Sequence, residues 1–423
     1  MSGDLLKEVT IPIFSGFIGY ATNWSGVWML FNPLEFKGIR VPGVRGLSHV
    51  LPRRIQQIPG VMQGGVGWQG IIPSRAAKMG SIAVDKGIAK VGSPADFYEQ
   101  LEPQKIAEQI LLTSRRDMRD LVDRIMEREH PQLWNELPPR VREAVHERVQ
   151  AQLPDIVREV TEKIGRNIDD LLDVKLMVIR HVEEHPELMN RVFLDVGKKE
   201  LDFIIRFGGV FGFVCGFPLI FITNAFPHWW VLPVLGTIVG YVTNWLAIWM
   251  IFEPNDPRRI WRWTAQGLFL KRQREVAQVY ATIIADHIVT VRNIGHELLH
   301  GPRADRTRAM IQNALRPAVD RATGAVQPLV RMAVGPREYD AIRDSLAVEG
   351  VEYTMTPLQD EEFNREQSRS IRALISDRIR EMSSRDFAEL LRSGMREDEW
   401  LLVLHGAVLG FGAGLVHLAI FGV

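Results

Sequence analysis

Apolar residues are concentrated in three long tracts, and the rest of the chain is strongly polar. Residues 9–34, 207–252 and 401–423 contain no Asp, Glu, Lys or Arg. A helix of ~20 apolar residues crosses a bilayer core of ~30 Å, so the outer tracts each hold one span and the middle tract holds two. The pattern predicts four membrane-spanning helices, at 9–31, 203–222, 229–252 and 400–423.

The polar segments between these tracts have the periodicity of amphipathic helices. In one stretch, apolar residues recur every three to four positions, and no alternating strand pattern is present. This stripe consists of Leu153, Ile156, Val157, Val160, Ile164, Ile168 and Leu171. It is typical of a helix-bundle seam, and the alternative is a groove that receives lipid or another protein. The predicted fold class is all-α: a polytopic membrane protein with two helical segments outside the bilayer, 35–200 and 253–399.

The chain contains an internal repeat. Residues 19–33, GYATNWSGVWMLFNP, and residues 240–254, GYVTNWLAIWMIFEP, share nine of fifteen positions. Glycines also recur along the second and fourth predicted spans: Gly208, Gly212 and Gly216, then Gly406, Gly410 and Gly414. One span separates the two copies of the motif, so both copies point the same way across the membrane. We therefore expect two parallel repeats, 1–226 and 227–423.

Basic residues predict the orientation. They cluster after the first and third spans, whereas the opposite side carries only Lys7. The positive-inside rule then places both large segments in the cytoplasm and both termini outside. The expected location is the cytoplasmic membrane, with several spans.

Composition narrows the class of protein further. The 423 residues include 51 basic and 51 acidic residues, which are interleaved and give no net charge. A nucleic-acid binder would group its basic residues on one face, so that class is excluded. The single cysteine, Cys215, excludes a disulfide scaffold, and the long apolar tracts exclude a soluble enzyme.

The repeated TNW-x3-W-M-x-F-x-P block, the G-x-x-x-x-R block after it and the glycine-ribbed closing span resemble a known family. It is the bacterial membrane-protein family catalogued as domain of unknown function 445, and the resemblance covers nearly the whole chain. It implies a polytopic cytoplasmic-membrane protein with large helical domains. It implies no established activity.

The Thr-Asn pairs of the repeat are the candidate polar sites within the membrane. Thr22 and Asn23, and Thr243 and Asn244, are predicted to lie mid-span, where their side chains need protein partners. They either hold neighbouring helices together or line a substrate path. The six repeated glycines favour close helix packing, with a gap for a lipid tail as the lesser alternative. No span contains an acidic residue, which disfavours proton-coupled transport, although His405 and His417 keep it open.

Three further motifs match known chemistry. His296-Glu297-Leu298-Leu299-His300 fits the zinc-hydrolase pattern, in which His296 and His300 bind the metal and Glu297 activates water. Gly301-Pro302 ends the helix too early for such an enzyme, and no third ligand is marked by spacing. His181-Val182-Glu183-Glu184-His185 and the glycines of 65–70 favour a solvated helix end and a flexible connector, respectively.

The sequence therefore leaves three functions open. The first is a non-enzymatic membrane protein that handles lipid or another hydrophobic molecule, or supports envelope integrity. The second is a membrane scaffold that recruits an unknown cytoplasmic protein, and the third is the zinc hydrolase. We expect no catalytic residue and no cofactor, membrane lipids as partners, no nucleic acid, and self-association into a homo-oligomer as an open question.

Overall fold

The computed structural model describes residues 3–41, 52–56, 58–260, 263–323, 327–353 and 356–421. Most of them are helical, as the periodicity predicts. The helices up to the second predicted span are α1 (Gly3–Phe31), α2 (Arg53–Gln56), α3 (Pro59–Met62), α4 (Ile71–Ser74), α5 (Ala76–Ala83), α6 (Ala89–Val91), α7 (Pro94–Gln100), α8 (Pro103–Glu129), α9 (Pro131–Glu136), α10 (Pro139–Arg166), α11 (Ile168–Leu171), α12 (Val174–Glu184) and α13 (Pro186–Ala225). Those that follow are α14 (Val231–Phe252), α15 (Leu268–Lys271), α16 (Gln273–Ile283), α17 (Val291–His300), α18 (Ala304–Thr323), α19 (Gln327–Val334), α20 (Pro336–Tyr353), α21 (Glu361–Glu381), α22 (Ser384–Ser393) and α23 (Glu399–Phe421). Single π-helical turns lie at Val84–Ile88 and Ile284–Ile288, and a 3-10 turn at Thr356–Gln359.

The chain forms two compact units, each built from segments of both sequence halves. We call Met1–Gly87, Ile179–Tyr280 and Arg378–Val423 the membrane unit, and Ile88–Val178 and Ala281–Asp377 the bundle unit. The compact units therefore do not coincide with the predicted repeats 1–226 and 227–423.

Three of the four predicted spans are helices long and apolar enough to cross a membrane: α13, α14 and α23. Among the described helices, α1 does not reach the same hydropathy. It carries Thr10, Ser25 and Gly26 where α14 has Val231, Leu246 and Ala247, so a count of charges overrates its uncharged tract. The structure thus gives three candidate spans where the sequence predicts four.

The helices of the membrane unit pack as two close pairs, α1 with α13 and α14 with α23. Backbones touch where glycines face each other. A β-carbon on Gly208 would overlap the carbonyl oxygen of Gly19, and one on Gly406 would overlap that of Gly240. Small residues permit this approach, which allows van der Waals packing along the whole crossing.

Two pairs of short antiparallel strands interrupt the helices, and the fold class is otherwise all-α as predicted. Strand β1 (Lys37–Arg40) pairs antiparallel with β2 (Gly65–Trp68), and β3 (Arg258–Ile260) pairs with β4 (Trp263–Ala265). Strands of three or four residues are too short to show the alternation by which a strand is recognised. Gly38 and Gly67 face each other across the first strand pair, where a β-carbon on either would overlap the opposite strand.

Candidate functional site

The two asparagines of the repeated motif make the same contact, once in each helix pair. Asn23 Nδ2 donates to the carbonyl oxygen of Ile204 at 2.6 Å, and Asn244 Nδ2 donates to that of Leu402 at 2.6 Å. Their side chains are buried, and each lies against a rib glycine, Gly208 or Gly406. Each amide therefore links its own helix to the backbone of the glycine-ribbed partner.

The partner helices show that these contacts lie near one end of the spans. Ile204 is two residues before Arg206, and Leu402 is three residues after Glu399, the first residue of α23. The sequence alone places both asparagines in the middle of a span, because the tracts of α1 and α14 stay uncharged for several residues beyond the motif. In the structure the end of α1 runs alongside the charged part of α13, where Asn190 Nδ2 donates to the carbonyl oxygen of Phe31 at 2.8 Å.

All four predicted Thr-Asn residues line one cavity of about 60 Å³ inside the membrane unit. Helices α1, α13, α14 and α23 enclose it, and its lining is otherwise almost entirely apolar or glycine. The added polar members are Ser15 of α1 and His417 of α23, and His417 is 4% exposed. Its ring lies between Phe14 and Phe421, with centroid distances of 5.1 and 4.7 Å. The structure thus brings the predicted Thr-Asn residues together and adds a histidine.

The second histidine of α23 has a protein partner. Ser25 Oγ of α1 and His405 Nε2 lie 3.0 Å apart and form a hydrogen bond. The β-carbon position of Gly26 lies 3.5 Å from the same ring. His405 therefore joins α1 to α23, while His417 points into the cavity.

Two buried ion pairs join the sequence halves crosswise. Arg75 Nη2 lies 2.7 Å from Asp398 Oδ1, with side chains only 5% and 3% exposed. Arg272 Nη1 donates to both carboxylate oxygens of Glu200, at 2.6 and 2.8 Å. The arginine of each half is thus paired with a carboxylate of the other half. Burial raises the pKa of Asp398 to about 6, although Arg75 opposes that shift.

The amphipathic stripe of α10 lines an apolar cavity of about 110 Å³ in the bundle unit. Five of its seven members face the cavity: Leu153, Ile156, Val157, Val160 and Ile164. Helices α7, α8, α17, α18 and α20 supply most of the remaining wall. Ser114, Thr161, Thr307 and the hydroxyl of Tyr98 are the polar members of the lining that the structure describes. The stripe is therefore a bundle seam, which is the first of the two interpretations, and it also encloses a space.

A wider and more polar groove of about 700 Å³ lies next to this cavity. Tyr98 and Thr161 line both spaces, and the Tyr98 hydroxyl donates to the Thr161 carbonyl oxygen at 3.0 Å. The groove also carries Glu99, Glu162, Arg158 and Arg166. The apolar cavity thus adjoins a charged and hydrated surface within the same unit.

The zinc motif gains no support from the geometry. His296 and His300 are exposed side by side on α17, with ring centroids 4.8 Å apart, whereas Glu297 is buried. The helix ends at His300, and the guanidinium of Arg308 lies 3.1 Å from His300 Nδ1, where it would repel a metal cation. Within the described ranges, no three His, Cys, Asp or Glu residues come together as a metal site.

The other motifs fall on ordinary structural features. His181 and His185 lie one turn apart with centroids at 5.0 Å, and His185 follows the last residue of α12. Gly65 and Gly67 lie in strand β2, where a β-carbon on either would overlap strand β1, so the expected flexible connector is wrong there. Cys215 lies on α13, one residue before the rib glycine Gly216.

The chain is similar to proteins named UPF0754 membrane protein in several bacteria. It is 40% identical over 75 residues to one from Shouchella clausii, covering 16% of this chain and 20% of that protein. Matches to proteins from Staphylococcus epidermidis and Staphylococcus aureus are 33% and 34% identical over 91 and 86 residues, which is 21% and 20% of this chain and 23% of each relative. The chain thus spans about a fifth of the length of the curated relatives it matches. No family model matches it, and no solved structure matches it.

These names and the three apolar helices identify the class: an integral membrane protein similar to an uncharacterised bacterial family. The comparisons show neither the narrower family that the motifs resemble nor any activity.

Sequence reasoning missed the ion pairs and the role of His417. Arg75 and Asp398 are more than 300 positions apart, and neither belongs to a motif that suggests a partner. One signal was available: the offset of 197–198 that aligns the halves also relates Arg75 to Arg272 and Glu200 to Asp398. Nothing comparable marks His417, because the matching position in the first half is Leu219.

Proposed function

We propose that this protein is a non-enzymatic membrane protein that binds a lipid or another hydrophobic molecule in the bundle unit. The observation that carries the proposal is the apolar cavity behind the stripe of α10. Protein interiors are normally packed without such spaces, because each void loses dispersion contacts.

The size and chemistry of the cavity suit part of an apolar molecule. A cavity of ~150 Å³ lined by aliphatic side chains stays dry and binds benzene, so about 110 Å³ suits a short aliphatic segment. The adjoining groove, with two arginines and two glutamates, would leave a polar headgroup in contact with water. An amphiphile fits this combination better than a fully polar metabolite.

The test compares a substitution that fills the cavity with a similar substitution that lies outside it. Val157→Phe adds volume inside it, and Leu112→Phe makes a similar addition on α8 at a side chain that is 74% exposed. We expect lipid that co-purifies with the wild type, measured by mass spectrometry, to fall at least several-fold in Val157→Phe and to persist in Leu112→Phe. Equal lipid in both variants, or none in the wild type, would reject the proposal.

We also propose that α1 is a fourth span and that the chain consists of two parallel repeats. Support comes from contacts that occur once in each helix pair. Asn23 in one pair is equivalent to Asn244 in the other, and Gly208 is equivalent to Gly406. The arginines of the two crossed ion pairs are equivalent in the same way. The helix α1 packs along α13, one of the candidate spans, so it would cross with its partner despite its lower hydropathy. Exposed Trp24 and Trp28, and likewise Trp245 and Trp249, lie one turn apart and suit a membrane interface.

A further inference from the structure

The membrane unit contains a second cavity whose chemistry differs from that of the bundle unit. Its lining includes Asn23 and His417, and within the described part of the chain three of their buried polar atoms have no hydrogen-bond partner: Asn23 Oδ1 and both ring nitrogens of His417. Their side chains are at least 96% buried. Because these atoms lie in the membrane unit, a ligand that binds them is independent of the lipid proposed for the bundle unit.

Unpartnered polar atoms are costly in this position. A buried polar group without a hydrogen bond costs ~1–3 kcal/mol in proteins, and hydrocarbon offers no replacement partner. The equivalent amide nitrogens are satisfied by the carbonyl oxygens of Ile204 and Leu402, so the asparagines are not simply misplaced. His405 on the same helix has Ser25 as a partner, which makes His417 the exception.

The donor and acceptor pattern defines what would complete the site. Asn23 Oδ1 only accepts, and a neutral imidazole has one nitrogen that donates and one that accepts. A molecule that bonds to all three atoms must therefore both donate and accept. Among the lining residues that the structure describes, none is Asp, Glu, Lys or Arg, so no described side chain would balance a charged ligand.

The volume limits the size of the ligand. One water needs ~10–15 Å³ of such space, so about 60 Å³ holds a few waters or one small solute. A phospholipid headgroup is too large. The geometry points to a polar site within the membrane unit that binds small uncharged hydroxylic molecules, namely a short chain of waters or a solute such as glycerol.

The test is proton-detected solid-state NMR on the full-length protein in lipid bilayers, with ¹⁵N-labelled histidine and deuterated, back-exchanged protein. His417→Phe assigns the ring signals, and His405 serves as the internal reference with a known protein partner. We expect magnetisation transfer from water protons to the His417 ring. A second sample with protonated glycerol in deuterated water identifies a solute, since transfer would then come from glycerol.

A matched pair of variants tests the location. Ala413→Leu fills the cavity, whereas Gly412→Leu lies on the same helix at a position whose β-carbon would meet nothing within 4 Å. The transfer should disappear in Ala413→Leu and persist in Gly412→Leu. Transfer from water alone or from glycerol supports the site and names its occupant. In the wild type, transfer from lipid methylene protons, or no transfer from any of these sources, would overturn it.

This site and the proposed lipid-binding function can be tested separately. Val157→Phe alters the apolar cavity of the bundle unit and should leave the His417 signals unchanged. Absence of co-purifying lipid in the wild type together with intact transfer at His417 would therefore reject the lipid proposal alone.

Discussion

Single asparagines and glycines determine how closely the helices of the membrane unit approach. Asn244 lies against Gly406, and its amide reaches the carbonyl oxygen of Leu402 only because that glycine has no side chain. The same arrangement holds for Asn23 and Gly208. The amide and the glycine thus act as one contact, and a change in either should weaken both packing and hydrogen bonding.

Two glycines of α23 provide a direct comparison. In Gly406→Ala the new methyl group would overlap Asn244 Nδ2 and the Gly240 carbonyl oxygen, whereas in Gly412→Ala it would meet nothing within 4 Å. Overpacking costs ~1–3 kcal/mol, so we expect a clear fall in thermal stability for Gly406→Ala. Gly412→Ala should be neutral or slightly stabilising, since alanine favours helix. Equal stability of the two variants, measured in the same detergent, would contradict the close packing.

At the scale of elements, the ends of the spans are tied to the short helices that follow them. Helix α4 is followed at once by Arg75, which reaches Asp398 just before α23, while Arg272, after α15, reaches Glu200 within α13. Buried ion pairs bring specificity of arrangement rather than large stability, because desolvation opposes the attraction. Their main effect is to fix which helix ends lie together.

The ionisation of Asp398 should make stability depend on pH. Burial raises its pKa to about 6, so between about pH 4 and 6 the folded protein keeps a proton that the unfolded chain has lost. The free energy of unfolding should therefore fall as the pH rises from 4 to 7, by up to about 3 kcal/mol for a shift of about two units. Thermal unfolding across this range should show the fall in the wild type and not in Asp398→Asn.

Glu275 is the matched control for this experiment. Hydrogen bonds from Arg272 and then Lys199 lower its pKa to about 2, so above about pH 5.5 it is ionised in both the folded and the unfolded chain. Above that pH, Glu275→Gln should keep the pH dependence of the wild type. Parallel curves for the wild type and Asp398→Asn would show that burial does not control the proton on Asp398.

The extent to which sequence predicts this structure depends on the range of each interaction. Helices, glycine ribs and the Thr-Asn motif are visible because their signals recur every three to four residues or repeat between the halves. The strand pairs are not visible in the sequence because their strands are short. A count of charges overrates α1 as a membrane span, because a helix without charges can still have a low mean hydropathy. The cavities and ion pairs depend on residues far apart in the chain, such as Asn23 with His417, which no local pattern connects.

At the scale of the whole molecule, a central prediction concerns the sides of the membrane. If α1 crosses with the three candidate spans, the segments before α13 and before α23 emerge on one side. The turn between α13 and α14 then lies on the other side. The positive-inside rule makes the first side cytoplasmic.

The single cysteine makes this topology easy to test. After Cys215→Ala, single cysteines would replace the exposed residues Arg148, Arg337 and His228 in turn. In intact cells, a membrane-impermeant maleimide should label the His228 position and spare the other two until the membrane is opened. Different accessibility at Arg148 and Arg337 would exclude parallel repeats.

The crossed arginines also constrain the order of synthesis. Arg75 and Glu200 leave the ribosome early, but their partners Asp398 and Arg272 lie in the later half of the chain. Neither early residue can form its ion pair until the later segment has been translated, and Arg75 must wait for Asp398. The first helix pair should therefore remain a substrate for insertion and quality-control factors until that point, and a stop codon placed before residue 398 should remove the ion pair between Arg75 and Asp398.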